Sequence, residues 1–492
     1  MSGRLRKGDG VGAGLRRRVV PARLRRPDPI RLGVALTCLL GVGCADSGAG
    51  QSTEIVSPDD APPSPNYSYP PAPLADDGAT PAASRAFQAI VEDVSVDMPM
   101  TARLEELVSS GDARHAWLIS DLMRFAADPE TLDQLVAAFV ELTGVDPAAD
   151  PTFGDSPWKS VTDHLIAWDL PAPRDYRQLK AALFTLIEPR WAPFFADPDA
   201  AIDWRWLSWG GVLIDDRPLG DTRPCPAGCI PALDDPVLTD AAGGHWHPDK
   251  AIVFGIIEGD DAVALPKHIM QVHEMVNMTV GGRRFGIPYC TLCGSAQAYF
   301  IDRVPAGLGP LVLRTSGLLS RSNKVMYDLT TMSVFDTFTG AAVSGPLQDA
   351  GVVLEPTTVA VATWGEWKAA HPTTDIVAVD GGVGRSYDLD PLRGRDDDGP
   401  IFPTGDVDPR LPAHEPVVGV ITGDGTPVAF AAAAARNALA SGHDVAMAGV
   451  VLSADGGGVR AHTADGDEIP AHEAFWFAWS QFHPTTELWA GR

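Results

Sequence analysis

One eleven-residue pattern occurs twice in this chain, as Trp364-x-x-Trp367-x-x-x-His371-Pro372-Thr373-Thr374 and as Trp476-x-x-Trp479-x-x-x-His483-Pro484-Thr485-Thr486. A second match precedes it in the same order, Gly255-Ile256-Ile257-Glu258-Gly259-Asp260 returning as Gly419-Val420-Ile421-Thr422-Gly423-Asp424. Two ordered matches of bulky aromatics and turn residues require one scaffold to be built twice. The second copy is the shorter, and nothing in it corresponds to the thiol-bearing segment of the first. The expected fold class is therefore α+β, a helical N-terminal module followed by a β-rich mixed domain with an internal duplication. Half one spans about 245–380 and half two about 411–492.

With 492 residues the chain is too long for one compact core, and several folded units are expected. Residues 1–44 read as a signal peptide, a basic stretch followed by the apolar run Leu32–Val42, too short to span a bilayer. Leu40-Gly41-Val42-Gly43-Cys44 resembles a lipobox, with Cys44 as the lipidation site; an uncleaved anchor is the alternative. Loss of the basic leader moves the net charge from −26 to about −34, which opposes nucleic acid and anionic membrane surfaces. The expected partners are thus the membrane, through the lipid anchor alone, and a protein bound by the helical module. The expected location is exported, in the cell envelope or periplasm.

Residues 45–83, rich in Pro, Ala, Ser and Asp, read as a tether. Residues 84–203 carry helical periodicity. Asp128-Pro129 is a cap followed by proline at the first helical position, Leu132, Leu135, Val136, Phe139 and Leu142 form one face, and Gly144 stops the helix. Antiparallel pairs of such helices would make a HEAT-like array. From 204 onward short strands and tight turns dominate. Gly281-Gly282 predicts a two-residue hairpin, and Pro266–Asn277 reads as a helix carrying His268 and His273.

The chemistry concentrates between His268 and Ser295, where two imidazoles, a carboxylate and Cys290-Thr291-Leu292-Cys293 fall within 28 residues. Thiolate and imidazole ligands suit copper or zinc. The candidate ligands are Cys290, Cys293, His273 and His268, with Glu274 and Asn277 supporting them. His273, beside Glu274, is the better imidazole, because five residues of helix separate the two histidines by about 140°. Met270, Met275 and Met278 would favour Cu(I), though methionine is also ordinary core filler. Cys225 and Cys229, in a Pro/Gly loop, are a disulfide candidate, with a four-cysteine zinc site as the alternative. His245-Trp246-His247 could add ligands, and Asp396-Asp397-Asp398-Gly399 reads as a solvated turn. No G-x-S-x-G, Walker A, C-x-x-C-H or H-E-x-x-H pattern is present.

His273-Glu274-x-x-Asn277, Tyr289-Cys290-x-Leu292-Cys293-Gly294-Ser295, Ser316-Gly317-Leu318-Leu319, Ser322-Asn323-Lys324-x-Met326-Tyr327-Asp328 and Phe338-Thr339-Gly340 together resemble the family known as domain of unknown function 3179. The resemblance covers about 204–372 and implies exported proteins in which these positions recur, with no established activity. The chain departs from the family pattern at Leu265-Pro266, at Met278, where an acid is usual, and in the Cys225–Cys229 loop. Three functional readings follow: a soft-metal site at Cys290, Cys293 and His273; thiol–disulfide exchange by the Cys-x-x-Cys; or a disulfide-stapled scaffold without enzymatic activity.

Overall fold

The computed structural model describes residues 67–75, 80–95, 100–225, 228–396 and 399–491. The expected signal segment, Cys44 and most of the expected tether lie outside the described residues. The part of the tether that is described is held in place. Tyr67 and Tyr69 pack edge-on against His164, and the Trp168 indole donates to the Pro70 carbonyl at 2.7 Å.

The first helix, Pro81–Ser95, is followed by Thr101–Val108, Ala116–Phe125, Pro129–Thr143, Pro157–Ala167, Tyr176–Ile187 and the short Ala192–Ala196. Local chemistry sets their ends. Asp128 accepts from the Thr131 amide as N-cap, and Gly144 closes the same helix at φ 71, a left-handed conformation that glycine adopts without strain. The sequence predicts stacked antiparallel pairs; the first two helices pack closely on each other, and Ala116–Phe125, buried almost all round, packs against Pro129–Thr143, Pro157–Ala167 and Tyr176–Ile187. Its Asp121 is buried with it. That carboxylate sits inside the cluster, bonded to Lys180 Nζ at 2.8 Å and to the Tyr176 hydroxyl at 2.8 Å, and ties the central helix to Tyr176–Ile187.

The β-rich region is five small sheets in a propeller-like ring. The first sheet orders Leu207–Trp209, Leu313–Ser320, Asn323–Asp328 and Val334–Asp336, and it shares a core with the helices. The second orders Glu355–Thr357, Ala298–Phe300, Arg283–Cys290, Met275–Val280 and Leu233–Asp234, with Ser295–Ala296 paired to the end of Arg283–Cys290. The third orders Ala360–Thr363, Ile252–Glu258, Asp261–Pro266, Asp375–Val377 and Leu238–Asp240. The fourth orders Ala471–Phe475, Pro416–Ile421, Pro427–Ala431 and Glu487–Trp489, and the fifth is a meander over 445–469.

The predicted Gly281-Gly282 hairpin is present, with Val280 opposite Arg283. The predicted helix to Asn277 is not. It ends at His273, Glu274 takes a left-handed conformation at φ 52, and Met275–Val280 is a strand. The reason is visible in the residue types: Val276, Thr279 and Val280 are β-branched and find partners across the glycine turn, which outweighs a weak helical pattern.

The third and fourth sheets share connectivity and register. Ala360 pairs with Gly255, and His472, equally far ahead of its tryptophan, pairs with Gly419. The Trp367 indole donates to Thr374 Oγ1 at 2.9 Å, and the Trp479 indole donates to Thr486 Oγ1 at 2.9 Å. A Cβ on Gly255 would lie 2.3 Å from the Trp367 ring, and one on Gly419 would lie 2.0 Å from the Trp479 ring. Each glycine is therefore the floor on which a tryptophan lies.

Candidate functional site

Cys290 ends the strand Arg283–Cys290, and Thr291–Cys293 turns as a 3-10 helix that Gly294 closes at φ 58. The turn lies beside the fourth sheet, and both cysteines share a buried core with Phe338, Trp476 and Trp479. Gly294 is required twice, by its backbone conformation and by the Phe475 ring, 3.1 Å from where a Cβ would stand. Both cysteines are free thiols. Cys293 is fully buried, its thiol donating to the Ser322 carbonyl at 3.0 Å. Burial holds that thiol well above its usual pKa, reinforced by the neighbouring Cys290.

Cys290 lines a small pocket whose polar wall includes Glu274, Thr291, Thr315, Ser322 and Lys324. Lys324 comes from the strand Asn323–Asp328 of the first sheet and is 4% exposed. Its ammonium group donates to the Glu274 carbonyl oxygen and lies 3.8 Å from Glu274 Oε2. Thr291 Oγ1 donates to Glu274 Oε1 at 3.0 Å. Burial raises the Glu274 pKa and lowers that of Lys324, and each is partly offset by the other's charge. Cys290 adds to the negative charge that favours the Lys324 ammonium. Arg321 and Ser322, at φ 50 and 60, form the hairpin that aims the Ser322 carbonyl at Cys293. Two consecutive non-glycine residues with positive φ cost about 1–3 kcal/mol each and persist where the surroundings over-determine them. Here the Ser322 hydroxyl is pinned to the Pro403 carbonyl.

The expected metal ligands do not converge. His273 Nδ1 is 2.7 Å from the Pro231 carbonyl oxygen and Nε2 is 2.8 Å from the Tyr387 hydroxyl, so neither nitrogen has a lone pair left for a metal ion shared with the cysteines. Burial pushes its pKa down to about 4 and keeps the ring neutral. His268 stacks on His247 with ring centres 5.3 Å apart. Glu274 does not orient His273; it faces Thr291 and Lys324. Asn277 is consumed by Asp234 and by both backbone groups of Leu313, which staples the second sheet to the first.

Cys225 and Cys229 form the expected disulfide. Among the described residues, the grouping of three metal-ligating atoms within 4.8 Å is Asp215 with these two sulfurs. A closed disulfide offers no thiolate, and Asp215 is already bonded to Arg217 at 2.7 Å and to the Ala232 amide at 2.8 Å. That grouping therefore serves the loop and not a cation. Reading residue types along the chain missed Lys324, Ser322 and Thr291 as site members. The first two sit in the Ser322-Asn323-Lys324 motif, the one sequence signal that could have found them.

These features define an α+β protein with a buried dithiol beside a lysine–carboxylate pair, where three of its sheets meet. Residues 227–465 match the family described as Protein of unknown function (DUF3179). Comparison with curated proteins and with solved structures finds no match.

Proposed function

We propose that Cys290 and Cys293 are a redox-active pair and that the protein carries out thiol–disulfide exchange. The observation that carries this reading is the asymmetry of the pair: Cys290 faces a pocket beside an ammonium group, and Cys293 is enclosed behind it. The Cys290 thiolate, stabilised by Lys324, attacks one sulfur of a bound disulfide. The substrate S–S bond breaks and the first thiol leaves with a proton. Cys293 then gives up its proton and attacks Cys290 Sγ, releasing the second thiol and closing Cys290–Cys293. Glu274, whose raised pKa suits it to carry a proton, lies close enough for its charge to act on Cys293.

The test is alkylation and mass mapping of the chain after equilibration in dithiothreitol buffers of graded potential. A reversible Cys290–Cys293 bond is expected, with Cys290 in the reduced protein alkylated at least about tenfold faster than Cys293. Failure of the bond to form at any potential rejects the proposal. Lys324→Met should shift the midpoint toward the disulfide, because the reduced form loses the charge that stabilises its thiolate.

Export and a lipid anchor at Cys44 are part of the same proposal, supported by the leader and by a closed Cys225–Cys229 bond, which belongs in an oxidising compartment. We also propose that the third and fourth sheets descend from one duplicated unit. Shared register, the two tryptophan–threonine bonds and the two glycine floors support it. Only the first copy leads into the dithiol segment, so the chemistry is an addition to one half.

A further inference from the structure

The pocket that Cys290 lines has about 60 Å³ of interior open to a water-sized sphere, room for roughly four water molecules. A molecule of a few heavy atoms fits there without displacing the wall. Glu274 and Lys324 are the charged side chains of that wall, and they face each other, Lys324 Nζ donating to the Glu274 carbonyl oxygen and standing 3.8 Å from Glu274 Oε2. No charge is left over to hold an ion. The rest of the wall is apolar, with Val212, Ile230, Leu318 and Phe402, apart from three hydroxyls. Each hydroxyl donates its proton to a protein oxygen, Thr291 to Glu274, Thr315 to the Ile230 carbonyl and Ser322 to the Pro403 carbonyl, and is left to act as an acceptor.

An occupant suited to this wall is small, neutral, and able both to donate and to accept hydrogen bonds. Beside it stands an oxidisable thiol, with Cys293 fully buried behind. The charges of Cys290 and Lys324 act on each other, so the ammonium group favours the Cys290 thiolate as the thiolate favours the ammonium. A thiolate is the form of cysteine that attacks an oxidant, and a second thiol within reach turns the first product into a disulfide.

We infer that this pocket admits hydrogen peroxide and that Cys290 and Cys293 reduce it. The inference rests on the redox reading of the pair and adds the oxidant that closes it. Cys290 Sγ attacks one peroxide oxygen, the S–O bond forms as the O–O bond breaks, and the sulfur is oxidised to a sulfenic acid. The departing hydroxide takes a proton from the Glu274–Lys324 pair and becomes water. Cys293 then gives up its proton and attacks Cys290 Sγ; the S–S bond forms, the S–O bond breaks, and the second hydroxide leaves as water with the Cys293 proton. The first proton replaces the one that Cys290 lost on becoming a thiolate, so two thiols and one peroxide give one disulfide and two waters. Exchange with an external dithiol returns the pair to its reduced state.

The test treats the reduced full chain with hydrogen peroxide or with the bulkier cumene hydroperoxide, followed by acid quenching, alkylation and mass mapping at set times. Hydrogen peroxide is expected to close Cys290–Cys293 at least about tenfold faster than it oxidises free cysteine at the same pH, and at least about tenfold faster than cumene hydroperoxide closes it. In Cys293→Ser the Cys290 sulfenic acid should persist and be trapped by dimedone. A reaction with hydrogen peroxide no faster than that of free cysteine, in a chain whose pair still closes in dithiothreitol buffers, overturns the inference and leaves the redox reading standing. A pair that closes under neither condition overturns both. Equal rates for the two peroxides overturn the assignment to the pocket. Lys324→Met should slow the hydrogen peroxide reaction to the level of free cysteine; if that variant fails to fold, the two peroxides compared on the unaltered chain still decide.

Discussion

His273 shows how a single side chain that looks like a ligand is turned into a structural part. Both ring nitrogens are bonded and the ring is buried, so protonation places a charge where water cannot solvate it. Its folded pKa of about 4 lies below the ordinary value of 6.5, so between those limits the unfolded chain binds the extra proton. The stability it contributes is complete above about 6.5 and is lost as pH falls toward 4, by up to about 1.4 kcal/mol per pH unit. Glu274 works in the opposite sense, because its raised pKa is a penalty relieved by acid. Urea unfolding between pH 7 and 4.5 should show a falling midpoint, and His273→Gln should reduce that slope by about one proton. An unchanged slope would mean that the ring is already charged in the folded protein. The same burial that makes this histidine pH-sensitive removes it from any metal site.

At the scale of elements, the two tryptophan-bearing sheets depend on glycine floors. Gly255→Ala and Gly419→Ala each push a methyl group against a ring that has no room to move, an overpacking cost of about 1–3 kcal/mol or more. Thermal unfolding of the two variants should show comparable losses; a neutral result at Gly419 would mean that the fourth sheet is more loosely packed than the third. The helices rest on a different device, the buried Lys180–Asp121 pair. Lys180→Met should destabilise by about 3–5 kcal/mol, because it strands the Asp121 carboxylate, and the double change Lys180→Met with Asp121→Leu should recover most of the loss. Chemical denaturation of the single and double variants measures that recovery directly.

At the scale of the whole molecule, the helices and the first sheet are built on one core. Leu207, Trp209, Leu318, Val325 and Tyr327 of the first sheet share a core with helical residues from Ala83 to Phe195. Trp191 crosses the junction, fully buried, with its indole bonded to the Ser316 carbonyl at 2.7 Å. Trp191→Ala should cost about 3–5 kcal/mol and lower a single unfolding transition rather than split it in two. Coincidence of the far-ultraviolet circular dichroism and tryptophan fluorescence curves is the check; two separated transitions would make the helical layer an independent unit. The dithiol also depends on this scale, because its lysine belongs to the first sheet, Cys290 to the end of a second-sheet strand, and Trp476 and Trp479 of the same cluster to the helix Trp476–Phe482.

What the sequence determined by itself was whatever short-range chemistry decides. Asp128 and Gly144 set a helix at both ends, Gly281-Gly282 makes a hairpin, and the spacing of Trp367 to Thr374 and of Trp479 to Thr486 fixes two local bonds. Cys225 and Cys229 are close enough along the chain for their pairing to be read directly. Tertiary structure alone decided the rest. The helical pattern through Asn277 yielded to strand pairing after His273, because a ladder across the glycine turn outweighs the weak helical propensity of those last residues. His273, near the cysteines in sequence, is held by bonds to Pro231 and Tyr387, from segments about 40 and 110 residues distant. Lys324 was brought to Glu274 across a separation of 50 residues. Nearness along the chain says which groups are available. Which of them meet is set by the long-range burial that the packed sheets impose.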